Sequence, residues 1–286
     1  LTLNEPWVMA FVGHLYGRFA PGKTSWEGAL AAAHHQLLGH GRAVRAMREA
    51  DPTARIGIAL DCRHAVPASD SPEDVAAARH FDGFRNRWFF DPVFGKGYPA
   101  DMLDAYESED RIRRDLVRDG DIEEIAQPID WLGLNFYTSL RIDPAHREME
   151  FLEGVEASPP TPGHTEKGWL VDPASLGAFL RRIRDDWGPA EIVVTENGCS
   201  YGDGPGADGR VRDDRRIAYL EAHIDALESA RADGVPVTGY FVWSFLDNLE
   251  WSDGFAQRFG LVWVDHATGR RIPKDSYAWY RDRISQ

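Results

Sequence analysis

The sequence predicts an α/β protein built on a parallel, barrel-type sheet, and three observations carry that prediction. Five short runs rich in β-branched residues alternate with segments of helical periodicity, which is the βα pattern of a parallel sheet. The polar, glycine-rich segments that hold candidate site residues all follow those runs, so a site is expected at the carboxyl ends of the strands. An open doubly wound sheet is the alternative, but no run is followed by G-x-G-x-x-G or G-x-x-x-x-G-K-[ST].

Residues 1–4 read as the first strand, which Pro6 ends, and residues 7–22 as a loop rich in aromatics and glycine. Residues 26–51 predict a helix, with apolar positions at 29–33, Leu37, Leu38, Val44 and Met47, stopping at Asp51-Pro52. Residues 55–60 are the second strand, with Asp61 at its end, and 65–70 a loop. Pro72 opens a helix to about residue 90, with Ser71 as its N-cap. A Gly/Pro loop at 91–99 leads to a helix from about residue 100 and a charged helix near 108–119. Residues 129–137 are the third strand, and the polar, Pro-rich stretch 144–168 is an excursion from the scaffold. A helix at 173–187, a fourth strand at 191–195 and a glycine-rich acidic loop at 201–210 follow. A helix at 213–232 ends at Gly234, and the fifth strand, 237–243, runs into a loop at 244–255. Residues 258–264 read as a hairpin arm with its turn at 265–270, and 276–284 as the last helix.

Five strands do not close an eight-strand barrel. Residues 1–286 are therefore expected to be a single, partial domain holding about strands 4 to 8 of a (β/α)8 (TIM) barrel, with about three βα units missing ahead of Leu1. The start at Leu1 rather than Met, inside a predicted strand, points the same way.

The net charge of −14 argues against binding nucleic acid or anionic membranes through bulk charge. Cys62 and Cys199 offer no disulfide framework, which suits a reducing, cytoplasmic compartment, and no signal peptide or membrane span is visible. No metal-ligand spacing is found, and His34 and His35 read as structural or exposed residues of a helix.

The chemistry centres on two glutamates. Ile192, Val193 and Val194 form a buried-strand run that stops at Thr195-Glu196, and Asn197-Gly198 supplies a turn. Residues 1–6 repeat the form, ending in Asn4-Glu5-Pro6. Two strand-end carboxylates of one sheet suit cleavage of a glycosidic bond, which proceeds through an oxocarbenium-like transition state flanked by two carboxyl groups. One must be protonated near neutrality, which demands an environment that raises its pKa, and the other must be ionised. Asn135, Tyr137, Trp243, Glu250 and Trp251 also lie at strand ends. The competing reading makes the glutamates solvated strand-end charges and the aromatics, Trp169 included, plain core or loop residues.

These segments resemble glycoside hydrolase family 1, the β-glucosidase family. Thr2-Leu3-Asn4-Glu5-Pro6 is similar to its acid/base motif, and Val194-Thr195-Glu196-Asn197-Gly198 to its nucleophile motif. Gly133-Leu134-Asn135-Phe136-Tyr137-Thr138, the stretch from Trp243 to Trp251, and Arg258-Phe259-Gly260-Leu261 also match, in family order. The resemblance implies a retaining β-glucosidase that removes terminal non-reducing β-D-glucosyl residues, as in cellulose breakdown, through a covalent glycosyl-enzyme and without a cofactor. It implies Glu5 as acid/base and Glu196 as nucleophile. Asn4 would hold the sugar 2-hydroxyl, Tyr137 would orient the nucleophile, and Asn135 would sit near both glutamates. Trp243 would floor the glycone site, Glu250 and Trp251 would bind the 4- and 6-hydroxyls, and Phe259 would line the same pocket. Trp169, in Lys167-Gly168-Trp169, resembles the tryptophan of the aglycone side.

The departure is at the front. Family members carry a glutamine at the end of strand 1 and a His-Trp pair at the end of strand 3, and no residue here takes those roles. The isolated chain is expected to be unstable or inactive unless an N-terminal partner fragment, or a homo-oligomer, completes it. Members acting on 6-phosphorylated sugars place serine where Glu250 stands; Glu250 would repel a phosphate, so a small unphosphorylated β-glucoside or oligosaccharide is the expected substrate. Two other classes compete: an inactive glycan-binding or interaction fragment, and an aldolase-like enzyme on the same barrel. The first would lose a carboxylate, and both are present. The second needs a Schiff-base lysine or a metal cluster at a strand end, and neither is evident.

Overall fold

The computed structural model describes residues 1–113, 115–146 and 163–285 of the chain. Four strands, β1 (Gly57–Pro67), β2 (Trp131–Ile142), β3 (Ile192–Asn197) and β4 (Val237–Val242), pair in that order, every pair parallel. Residues 1–4 lie parallel to β1 on its other side. Asn4 is bridged to Ala59, and the Thr2, Ala59 and Glu5 amides donate to Gly57, Leu3 and Ala59 carbonyls at 2.9–3.0 Å. The helices are α1 (Trp26–Ala50), α2 (Pro72–Asp82), α3 (Trp88–Val93), α4 (Ala100–Ser108), α5 (Asp121–Ile125), α6 (Pro173–Trp187), α7 (Asp214–Ala232) and α8 (Asp275–Ile284). Among the described residues no helix is long and apolar enough to cross a membrane.

Strand alternation decides which side chains reach the site. Leu60, Leu134, Phe136 and Val194 are buried in the core shared with the helices. Their neighbours Asp61, Asn135 and Tyr137 project from the opposite face, as a period of two requires. The register aligns Asp61 with Asn135 and Asn135 with Glu196, so three polar residues form one row at the carboxyl ends. An irregularity between Leu134 and Asn135 falls at that row, which re-aims the side chains there.

Helix starts follow local chemistry. Ser25, Ser71 and Asp172 accept from the amides of Gly28, Asp74 and Ser175 at 3.1–3.2 Å, and Pro72 and Pro173 occupy first-turn positions that need no donor.

Several sequence expectations are corrected. The predicted loop at 7–22 begins with helical turns, including a π-helical segment, Val8–Val12. Trp7 and Phe11, four residues apart, stack at 5.3 Å and meet Phe84 at 5.4 and 4.8 Å, so aromatic packing dictates a helix that glycine content obscured. The segment 72–90 is helical but contains a π-helical stretch, Gly83–Arg87, and continues to Val93. No helix spans the described part of 108–119; the short helix is instead Asp121–Ile125, and of the charged segment only Ile112, Leu116 and Val117 pack on the core among the described residues. β1 runs beyond residue 60 to Pro67, because its second half pairs with Ser139–Ile142 of β2. Most of the predicted excursion, residues 147–162, lies outside the described residues. The hairpin is present as β5 (Val262–Val264) against β6 (Arg271–Pro273).

Candidate active site

Glu5 follows the short first strand with φ +51°, a left-handed conformation disfavoured for a residue with a side chain and more so before proline. Such strain persists where surroundings over-determine it, and here Asn135 on β2 supplies the hold. Its amide donates to Glu5 Oε1 at 2.8 Å and to Asn4 Oδ1 at 3.1 Å, and its carbonyl accepts from Thr195 Oγ1 at 2.6 Å. The amide orientation is thereby fixed at both ends. Glu196 is the penultimate residue of β3, one beyond Thr195, and the Tyr137 hydroxyl donates to its Oε2 at 2.6 Å. Behind it the chain must turn sharply. A Cβ on Gly198 would stand 1.9 Å from the Trp243 carbonyl oxygen, so only glycine fits between β3 and β4 there.

The two carboxyls differ electrostatically. Burial pushes Glu5 well above the usual carboxylate range, and the charges of Asp61 and Glu196 add to this against the Asn135 hydrogen bond and Arg85. Burial also raises Glu196, but the Tyr137 hydroxyl and the amides of Asn135 and Asn4 favour its charged form. The pair titrates as a unit, and the first proton taken up belongs on Glu5. Asp61 is held by Arg85 in a buried ion pair, with the guanidinium 3.7 Å from the Trp7 ring centroid. Burial and the adjacent Glu196 and Glu5 charges hold the Tyr137 phenol in its protonated, donating form.

The structure brings Asn4, Glu5, Asn135, Tyr137, Trp169, Glu196, Trp243, Glu250 and Trp251 to one cleft of about 830 Å³, open mouth included. Trp169 packs 5.0 Å from Tyr137, with the Arg63 guanidinium 4.8 Å and the Lys167 ammonium 5.1 Å from its ring. Lys167 Nζ also lies 3.1 Å from Glu250 Oε1 and 2.6 Å from Asp253 Oδ2, which ties the Trp169 segment to the loop after β4. Trp251 is 66% exposed and packs on Phe19 at 5.2 Å. Phe259, expected on the cleft wall, is buried behind it, 6.0–6.1 Å from the rings of Trp169 and Tyr137.

Sequence reasoning missed Asp61, Arg63, Arg85 and Lys167 as cleft residues. Asp61 and Arg63 follow the second strand run with a spacing of two, a signal that could have found them. Arg85 lies in a helical segment and gave no signal. Among the described residues, no group of three or more His, Cys, Asp or Glu is arranged to hold a metal.

With that geometry in place, comparison with known proteins is informative. Residues 1–286 match the glycosyl hydrolase family 1 pattern along their whole length. Beta-glucosidase A of Thermotoga maritima is 41% identical over 99% of this chain, and a beta-glucosidase of an Agrobacterium species is 40% identical over 98%. The chain spans 62% and 60% of their lengths. The solved family 1 β-glucosidase of Thermotoga maritima superposes on all of this chain with a TM-score of 0.91 at 38% identity, the match covering 62% of that structure. The parallel sheet is therefore part of a (β/α)8 barrel.

Proposed function

Because the chain belongs to glycosyl hydrolase family 1, we propose that residues 1–286 form a single partial catalytic domain carrying the reaction centre of a retaining β-glycosidase, with β-glucosides as first substrates. The observation that carries the proposal is the pair of opposed carboxyls: Glu5 held by Asn135 and raised toward the acid form, Glu196 held by Tyr137 toward the charged form. A retaining double displacement needs these two states at once, with carboxyl groups about 5–5.5 Å apart.

In the first step Glu196 attacks the anomeric carbon as the C–O bond to the leaving group breaks, and the Glu5 proton passes to the departing oxygen. The Tyr137 hydroxyl, hydrogen-bonded to Glu196 Oε2, leaves Oε1 to attack. In the second step Glu5, now ionised, takes a proton from water while the water oxygen displaces Glu196. The sugar leaves with its original configuration.

Trp243 supplies an apolar floor for the glycone, Asn4 a contact for its 2-hydroxyl, and Glu250 and Trp251 contacts for its 4- and 6-hydroxyls. The Lys167–Glu250–Asp253 cluster keeps a net negative charge at that end, which favours an unphosphorylated glycone. Trp169 flanks the aglycone side. Two unpaired, buried cysteines, Cys62 and Cys199, are in keeping with a reducing, cytoplasmic setting. The working form includes a segment equivalent to the part of the relatives that this chain does not span, joined at the open flanks of the sheet.

The test is hydrolysis of a chromogenic β-glucoside by the 286-residue chain, alone and mixed with that segment from a relative, each beside Glu196→Ala. Turnover that disappears in Glu196→Ala supports the proposal. Turnover indifferent to Glu196 contradicts its role as nucleophile, and no turnover in either arrangement favours an inactive glycan-binding fragment instead.

A further inference from the structure

Behind the nucleophile lies a buried network that the reaction as described does not use. The pairing of β2 with β3 reaches Asn135 and Glu196 and goes no further. One residue beyond, the Asn197 side-chain amide donates to the Phe136 carbonyl at 2.6 Å and to the Tyr219 hydroxyl at 3.1 Å. That hydroxyl, from α7, donates in turn to the Tyr137 carbonyl at 3.1 Å. Tyr240 on β4 donates to Asn197 Oδ1 at 2.6 Å, which completes the amide. Tyr219 is 2% exposed and stacks on His223 at 3.9 Å between ring centroids, so its phenol has no freedom to swing away.

The Tyr219 oxygen thus bridges the residue after the nucleophile and the backbone of the residue that hydrogen-bonds the nucleophile. It replaces the missing ladder bond at the point where the two strands separate. We propose that Tyr219 is a positioning residue for Glu196: its hydroxyl clamps Asn197 to the Tyr137 main chain and so keeps the Tyr137 phenol and the Glu196 carboxylate in hydrogen-bonding register. The inference rests on the reading of Glu196 as nucleophile, but its geometric content stands apart from turnover. The Tyr219 hydroxyl hydrogen-bonds Asn197 and the Tyr137 backbone, not the Glu5 or Glu196 carboxyl.

The charged and titratable groups that share the cleft with Glu196 are Glu5 beyond the first strand, Asp61 and Arg63 on β1, Tyr137 on β2, Arg85, Lys167 and Glu250. None changes in Tyr219→Phe, which removes one oxygen from a buried ring. Loosening the clamp weakens the Tyr137 hydrogen bond, the interaction that favours the charged form of Glu196, so the Glu196 titration midpoint must rise.

The experiment follows the side-chain carboxyl carbon of Glu196 by NMR in the 286-residue chain, labelled with 13C at glutamate carboxyls and combined with the complementary segment of a relative, with Glu196→Gln assigning the resonance. Tyr219→Phe is expected to raise the midpoint by about one pH unit, the scale of one lost hydrogen bond to a charged group. Tyr240→Phe, which cuts the network on the side away from Tyr137, is expected to move it less. Should Tyr219→Phe fail to fold, Asn197→Ala breaks the same clamp from the other end and must give the same rise. An unchanged midpoint in folded Tyr219→Phe, or in Asn197→Ala if that variant carries the test, overturns the inference. A midpoint that rises while Glu196→Ala leaves hydrolysis intact keeps the clamp and rejects the nucleophile reading.

Discussion

Burial raises both Glu5 and Glu196, but Glu196 has a phenol hydrogen bond that favours its charged form, and this difference gives each a separate kinetic signature. If Glu5 is the proton donor proposed above, hydrolysis of a β-glucoside with a poor leaving group falls by about 10²–10⁴-fold in Glu5→Ala, while cleavage of the bond to a dinitrophenolate, which leaves unaided, falls far less. Comparing kcat/KM for the two substrates reads this directly. Tyr137→Phe deletes the 2.6 Å hydrogen bond to Glu196, and a drop in kcat of about 10–100-fold is expected. The sign of the pH effect follows from the cause: losing a bond that favours the charged form raises the Glu196 pKa, and the acid limb of the rate profile moves to higher pH. Asp61→Asn acts on both limbs. Its charge helps hold up both Glu5 and Glu196, so its removal lowers both pKa values and moves the alkaline and the acid limb to lower pH. Both glutamates were legible because each ends a β-rich run beside a breaker, a purely local signal. The influence of Asp61 was not, because it depends on the register that aligns β1 with β2.

At the scale of elements, the loop after β4 is fixed by a buried ionic cluster. Asp247 accepts from Lys274 at 3.0 Å, Arg258 at 2.8 Å and the Gly260 amide at 2.9 Å, with the Asp247 and Lys274 side chains fully buried. Asp247→Ala would leave two cations without their partner and cost about 3–5 kcal/mol in denaturant unfolding. Burial depresses Lys274 to about 8 from its ordinary 10.5. Between those values the unfolded chain binds more protons, so this group stabilises fully above about 10.5 and its contribution is lost as pH falls through about 8. The stability difference between wild type and Lys274→Met should therefore grow in favour of wild type from pH 8 to 10. Gly198→Ala offers a steric counterpart: its methyl group cannot coexist with the Trp243 carbonyl, and loss of folding or activity is expected. Helix α1 was readable from apolar spacing, α2 from its Ser71 cap and Pro72, and the end of α7 from Gly234. The helical turns at residues 6–14 were not, because their stabilisation comes from distant rings such as Phe84, which no local window contains.

At the scale of the whole molecule, the parallel strands form an array whose outer members, residues 1–4 and β4, each pair on one side only among the described residues. On β4 and in the loop after it, Phe241, Phe245, Leu249, Trp251 and Phe255 are each more than 50% exposed. The chain by itself is expected to self-associate and to bind a hydrophobic dye, and both signals should fall when the complementary segment of a relative is added, as light scattering and fluorescence would report. The parallel sheet and a site at its carboxyl ends were foreseeable from βα alternation. The depth and closure of the cleft were not, because they depend on elements far apart in the chain, such as the Lys167–Glu250 contact. The central claim is that Glu196 attacks the sugar. It is tested most directly by incubating the completed barrel with an activated 2-deoxy-2-fluoro-β-glucoside, which slows release of the glycosyl-enzyme, and mapping the adduct by peptide mass. The account predicts one fluoroglucosyl group per chain, on the peptide containing Glu196 and absent in Glu196→Gln. A label on any other residue, or turnover of ordinary β-glucosides with no adduct formed, would contradict it.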